Sequence, residues 1–104
     1  MKKRFDEKEL YELLARIPHG KVVTYGLLAQ MLGNPHWARS VGNAIHKNPD
    51  GDRYPCYKVV NSLGKLSEAY AFGGIDAQKT RLEKEGISVE NFKVDLKKYL
   101  AQSF

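Results

Sequence analysis

Apolar positions at spacings of three and four open the chain. Leu10, Leu13, Leu14 and Ile17 predict an amphipathic helix from Asp6 to Ile17. Asp6, with Glu9 three residues on, has the form of an N-cap, and Pro18-His19-Gly20 ends the segment. Lys21-Val22-Val23 reads as short and extended. Thr24 then caps a helix from about Tyr25 to Leu32, with Leu27, Leu28, Met31 and Leu32 as its apolar face. Gly33 closes that helix and Asn34-Pro35 opens another, from about His36 to Lys47. Two helices so joined read as a helix-turn-helix, or as a helical hairpin used only for packing. Gly42 weakens the second helix, so either tight packing or the close approach of something else is expected there.

The second half alternates more quickly. Asn48-Pro49-Asp50-Gly51-Asp52 has strong turn chemistry. Val59-Val60, the turn Asn61-Ser62-Leu63-Gly64, and Lys65-Leu66 predict a short hairpin. Ser67 to Gly74 is a loop carrying Tyr70 and Phe72. Ile75 to Glu85 is helical, with Gly86 as the stop. Ile87-Ser88-Val89 and Phe92-Lys93-Val94 alternate as short strands, and Asp95 to Ala101 is a short terminal helix or tail. The fold class expected is mainly α with a small β hairpin: a winged-helix-like helix-turn-helix DNA-binding domain.

Composition narrows the classes of function. A length of 104 residues fits one domain with one modest core. No run approaches the roughly 18 apolar residues of a membrane span. The basic start, Met1-Lys2-Lys3-Arg4, leads into a charged helix and does not read as a signal peptide. The single cysteine cannot form an internal disulfide, and a cytoplasmic location with no membrane association is expected. One cysteine and three scattered histidines, His19, His36 and His46, do not predict a metal site. A net charge of +5 fits a polyanionic partner, or simply a basic soluble protein.

The most informative local signal is Cys56, in Tyr54-Pro55-Cys56-Tyr57-Lys58-Val59-Val60. Pro55 fixes its own φ and biases Tyr54 toward extended geometry, which sets the thiol at a constrained bend. Lys58 and Arg53 nearby favour thiolate, the nucleophilic form. A lone cysteine is more often a small buried hydrophobe, and the local sequence leaves both readings open.

Taken in order, Ile17-Pro18-His19-Gly20-Lys21-Val22, Thr24-Tyr25-Gly26, Gly33-Asn34-Pro35, Ala38-Arg39-Ser40-Val41-Gly42, Asn48-Pro49, Pro55-Cys56, Val59-Val60, Gly64, Gly73-Gly74 and Leu82 to Gly86 resemble the DNA-binding and active-site domain of O6-alkylguanine-DNA alkyltransferases and the related alkyltransferase-like proteins. The resemblance covers roughly residues 5 to 90 and implies that residues 1–104 form a single such domain, without an additional amino-terminal one. It implies a helix-turn-helix that enters the minor groove, with Ala38, Ser40, Gly42 and Asn43 on the approaching helix. Arg39 would enter the base stack and Tyr25 would help rotate the damaged nucleotide out, since an alkyl group inside a duplex is beyond the reach of a thiol. Cys56 would accept the alkyl group, Asn48 would brace its turn, and Glu85 would complete a hydrogen-bond network behind it. Val59, Tyr70, Phe72 and Gly73 would wall the lesion pocket. The implied partner is double-stranded DNA containing O6-alkylguanine, bound by a monomer without a cofactor.

The chain departs from the reactive family's pattern beside the thiol. Tyr57 and Lys58 stand where the family carries histidine and arginine. A phenol, with an ordinary pKa near 10, is a poor base at neutral pH. Two functions are therefore weighed: irreversible transfer to Cys56 by a single-turnover methylated-DNA–protein-cysteine S-methyltransferase, placed first, and lesion sensing that hands the damage to other repair proteins. A winged-helix transcription factor ranks below both. Major-groove readers line their recognition helix with Arg, Asn or Gln, and here only Arg39 and Asn43 between Ala38 and Ala44 are of that type.

Overall fold

The structure is a computed structural model that describes residues 3–102 and 104. In chain order it has α1 (Glu7–Leu14), β1 (Val23–Thr24), α2 (Tyr25–Met31), a 3-10 turn (Pro35–Trp37) leading into α3 (Ala38–His46), a second 3-10 turn (Cys56–Lys58), β2 (Val59–Val60), α4 (Gly74–Lys84), β3 (Val89–Glu90), β4 (Lys93–Val94) and α5 (Leu96–Tyr99).

The helix starts follow from capping chemistry. Asp6 Oδ1 accepts the Lys8 N–H at 2.9 Å, Thr24 Oγ1 accepts the Leu27 N–H at 3.1 Å, and Asn34 Oδ1 accepts the His36 N–H at 2.9 Å. Each satisfies a backbone donor that has no partner inside its helix. Leu10, Leu13 and Leu14 of α1, Leu28 and Ala29 of α2, and Val41, Ala44 and Ile45 of α3 turn inward to a shared core, joined by Leu82 of α4 and Ile87. Burial of these stripes, rather than intrinsic propensity, stabilises helices this short.

The β structure differs from the hairpin expected at residues 59–66. Val59-Val60 pairs in parallel with β1, with Val23 opposite Val59 and Thr24 opposite Val60. Val59 and Val60 are 1% and 0% exposed, and a two-faced apolar strand belongs in a covered parallel pair. The segment after it is a turn closed by the Asn61 N–H on the Lys65 carbonyl at 3.1 Å, and Lys65 bridges antiparallel to Lys93. The antiparallel hairpin is instead β3–β4, turned by Asn91 and Phe92 with φ of 52° and 57°, the left-handed pair that matches strand twist. Gly64 seats the two units together. It has φ +84°, and a Cβ there would lie 2.2 Å from the Val94 carbonyl oxygen. The molecule remains mainly helical with small sheets.

Candidate lesion-binding site

The turn that carries Cys56 is folded around Asn48. The Asn48 amide donates to the Tyr54 carbonyl at 2.7 Å, and its oxygen accepts the Asp50 N–H at 3.0 Å. The Cys56 N–H in turn donates to the Tyr54 carbonyl at 2.7 Å, and the Tyr54 ring stacks on Tyr11 of α1 at 5.2 Å. Asn48 is 7% exposed, so these bonds replace water that it cannot reach.

Cys56 is only 2% exposed, yet it lines a cavity of about 70 Å³, several times the ~10–15 Å³ that one water molecule needs. Tyr25 of α2 and Gly42 and His46 of α3 line this cavity. Val59, Tyr70 and Gln78 line it as well. The thiol thus faces a space bounded by the helix pair. Tyr70 is 8% exposed and its hydroxyl has no protein partner among the described residues. Phe72 and Gly73, expected in the pocket wall, stand outside this lining. Phe72 is 38% exposed and meets Tyr70 edge-on at 5.8 Å, and Gly73, with φ +120°, turns the chain into α4.

Behind the thiol, Glu85 collects several donors. The Tyr57 hydroxyl donates to its Oε2, while Oε1 accepts the Gly20 N–H at 3.0 Å and pairs with Lys58 Nζ at 2.9 Å. Burial alone would raise the Glu85 pKa. The hydrogen bonds from Tyr57, Gly20 and Lys58 outweigh it and hold the carboxyl below its ordinary value. Tyr57 is pushed up to about 12, first by burial and then by its bond to, and the charge of, Glu85.

The local charges act differently from the sequence expectation. The Lys58 ammonium is held by Glu85 and by the Ile17 and Pro18 carbonyls at 3.4 and 3.3 Å. The Arg53 guanidinium lies 5.2 Å from the Tyr54 ring. Burial pushes the Cys56 thiol above its ordinary pKa. Asn48, the thiol's own backbone and Arg81 act the other way without reversing it.

Two site residues escaped the sequence reading. Gln78 is 1% exposed. Its amide donates to the Tyr57 carbonyl at 3.0 Å and the Val59 carbonyl at 3.1 Å, and its oxygen accepts the Ser67 N–H at 2.8 Å. Arg81 lies 4.4 Å from the centre of the Tyr57 ring and pairs with Asp52 at 2.7 Å. The available signal was spacing: Gln78, Arg81 and Leu82 share one face of α4, and Glu85, its C-cap, continues that face.

On the outer side of the helix pair, Arg39 and Asn43 are exposed, and Tyr25, Ala38, Ser40 and Gly42 are half-buried. A Cβ on Gly42 would lie 4.0 Å from the Tyr25 ring, an ordinary contact, so packing inside the fold does not require glycine there.

Comparison with known proteins accords with this arrangement. Residues 6–87 match the family described as 6-O-methylguanine DNA methyltransferase, DNA binding domain. The chain is 44% identical over 95 residues to a bifunctional methyltransferase/endonuclease of Picrophilus torridus, covering 91% of this chain and 31% of that protein. It is 42% identical over 92 residues to a DNA base-flipping protein of Vibrio parahaemolyticus, covering 88% of this chain and 90% of that one. The fold superposes with a TM-score of 0.87 and 33% identity on Schizosaccharomyces pombe Atl1 in complex with damaged DNA containing O6-carboxymethylguanine, covering 97% of this chain and all of that one. A family match across most of the chain, relatives that include both methyltransferases and base-flipping proteins, and a shared fold at this identity place the chain in the 6-O-methylguanine DNA methyltransferase DNA-binding-domain family.

Proposed function

We propose that this protein binds duplex DNA through the α2–α3 face, receives an extruded O6-alkylguanine in the cavity beside Cys56, and takes the alkyl group onto the cysteine sulfur. The observation that carries the reading is the position of the only thiol, on the lining of a cavity that residues of α2 and α3 also line. Ala38, Ser40, Gly42 and Asn43 form the surface that enters the minor groove. Arg39 fills the gap left by the flipped nucleotide, and Tyr25, on both the helix pair and the cavity, guides its rotation. Basic charge supplies phosphate contacts that set register on the duplex.

The transfer is a displacement at the alkyl carbon. A sulfur–carbon bond forms and the carbon–O6 bond breaks, with its electron pair left on the purine. The purine takes up a proton, equal in count to the one lost by the thiol, and leaves as guanine. The alkyl group comes from the DNA, so no methyl donor or redox cofactor enters the reaction, and the thioether limits each molecule to one turnover. Asn48 holds the turn. Tyr57 keeps its proton, so the thiol proton leaves through water in the cavity rather than to the phenol.

The raised thiol pKa and the retained Tyr57 proton favour a second reading: a lesion sensor that binds without transfer and passes the damage to other repair proteins. One experiment separates the two. The protein is incubated with a duplex carrying O6-methylguanine and digested, and the peptide containing Cys56 is weighed by mass spectrometry. A methyl adduct supports transfer. Tight, lesion-dependent binding with an unmodified peptide overturns transfer and leaves the sensor.

A further inference from the structure

The geometry points to residues 67–73 as a lid on the cavity beside Cys56, latched by the Phe72 ring on Gly51 and lifted when a base enters. The inference rests on the reading of that cavity as the seat of an extruded base, and adds how the base gains entry. At about 70 Å³ the cavity falls well short of the roughly 300 Å³ at which ligand pockets begin, so a wall has to move. Cys56, Val59 and Gln78 are buried, Val59 paired with Val23 and Gln78 held by three hydrogen bonds. Ser67, Ala69, Tyr70 and Ala71 of the loop line the cavity too, and they are held far less firmly. Among the described residues the backbone from Glu68 to Gly73 makes no hydrogen bond beyond Ser67 and Gly74. The Ala69 N–H donates to Ser67 Oγ at 3.1 Å, the Tyr70 N–H to the Ser67 carbonyl at 3.2 Å, and the Tyr70 carbonyl accepts the Gly74 N–H at 2.9 Å. A segment tied so weakly to the body opens more easily than the elements around it.

Two aromatic rings hold the loop down. Tyr70 is buried, but its hydroxyl has no partner among the described residues, so its seat is imperfect. Phe72 meets Tyr70 edge-on at 5.8 Å and lies over Gly51, in the turn between Asn48 and Cys56. Glycine in such a turn usually serves a positive φ. Gly51 has none. What leaves no room for a side chain is the Phe72 ring, whose Cδ2 and Cε2 atoms would lie 2.9 and 3.0 Å from a Cβ there. The bare backbone of Gly51 is thus a seat for the ring, and the contact joins the loop to the turn that carries the thiol. At the loop's far end Gly73 and Gly74, with φ of +120° and +79°, give two consecutive positions that can absorb a swing of the chain.

The test uses the full chain without DNA. The rate of Cys56 carbamidomethylation by iodoacetamide is followed by mass spectrometry in the unaltered protein, in Phe72→Ala and in Gly51→Ala, without urea and at several urea concentrations below the unfolding transition. Both substitutions break the latch, one by removing the ring and the other by displacing it. Releasing an aromatic contact of this kind should raise the open fraction, and with it the labelling rate, by roughly three- to tenfold. The faster rate should change little with urea, because a local opening exposes little surface. Unchanged rates in both variants would overturn the proposal. Rates that climb with urea as steeply as equilibrium unfolding would also overturn it, because the thiol would then be reached only through global unfolding. Gly51→Ala keeps every side chain of the loop, so it carries the test if Phe72→Ala fails to fold. A lid demonstrated in a protein that does not distinguish an O6-methylguanine duplex from an undamaged one leaves this inference standing and removes the lesion reading. Lesion-dependent binding with unchanged labelling removes the lid alone.

Discussion

Replacing Gly42 with alanine separates what the fold needs from what a nucleic acid needs. Glycine in the interior of α3 destabilises it by about 1 kcal/mol relative to alanine. The added methyl would meet the Tyr25 Cδ1 and Cε1 atoms at 4.0 Å, an attractive contact rather than a clash. The variant should therefore be more stable by about 1 kcal/mol, which for a domain of this size raises the melting temperature by about 4–8 °C. On DNA the sign reverses. A methyl forced into a close-packed interface costs about 1–3 kcal/mol, roughly a five- to hundredfold weaker complex. Thermal melts by circular dichroism read the first effect. Fluorescence anisotropy with an undamaged duplex and one carrying O6-methylguanine reads the second. Loss on both duplexes places Gly42 against the groove, and loss only on the damaged one places it against the extruded base. A lower melting temperature would show that the fold itself requires the glycine. An unchanged affinity for both duplexes would show that α3 does not approach DNA, and would remove the basis of the binding reading.

Three further outcomes follow from the site. Because burial holds the thiol above its ordinary pKa, the transfer rate should rise about tenfold per pH unit between pH 6 and 8, in proportion to the thiolate fraction; single-turnover kinetics that plateau by pH 7 would contradict this. Glu85→Gln removes the carboxylate from Lys58, whose side chain is 5% exposed, and should cost about 3 kcal/mol in urea denaturation. A loss under about 1 kcal/mol would mean that water already screens the pair. The Glu85 pKa is lowered in the fold, so its contribution is fully present above the unfolded carboxylate pKa, about 4.3, and is lost as pH falls through the lower folded value. Acid titration of stability should therefore be flatter in the glutamine variant below that pH. Arg39→Ala, at an exposed position, should leave stability within about 0.5 kcal/mol and weaken binding to lesion-containing DNA more than to undamaged DNA. Equal loss on the two in a gel shift would refute a role in the base stack.

Much of the scaffold is legible from short-range chemistry. Asp6, Thr24 and Asn34 announce their helix starts because a cap acts within three residues, and the inward leucines of α1 fall at the expected spacing. The failures share a cause. Val59-Val60 looked like half of a hairpin because Lys65-Leu66 is its neighbour in sequence, whereas its partner is Val23-Thr24, brought alongside by the helices between. Lys58 looked like an activator of Cys56 because it is two residues away. Its ammonium is drawn instead to Glu85, which the fold delivers from the end of α4. Charge counts along the chain measure proximity in sequence, and electrostatics responds to proximity in space.

The same distinction bears on the tyrosine beside the nucleophile. From sequence, Tyr57 is a weak substitute for a base. In the fold it is not placed to act as one. Its hydroxyl faces Glu85, its carbonyl is held by Gln78, and its ring lies beside Arg81, so the phenol and the carbonyl are both already engaged. With its pKa near 12, the phenol neither takes a proton from sulfur nor gives one up at neutral pH. Tyr57 is thus a strut that fixes the turn, and under the transferase reading it is not the base that takes the thiol proton. A Tyr57→His substitution tests this division. If the strut reading is right, the histidine should add a proton acceptor while loosening the turn, with faster thiol alkylation at pH 7 and a lower melting temperature in one variant. A histidine variant that reacts no faster would mean that Glu85, already saturated by Lys58 and Gly20, cannot draw a proton from the thiol whichever residue stands between them.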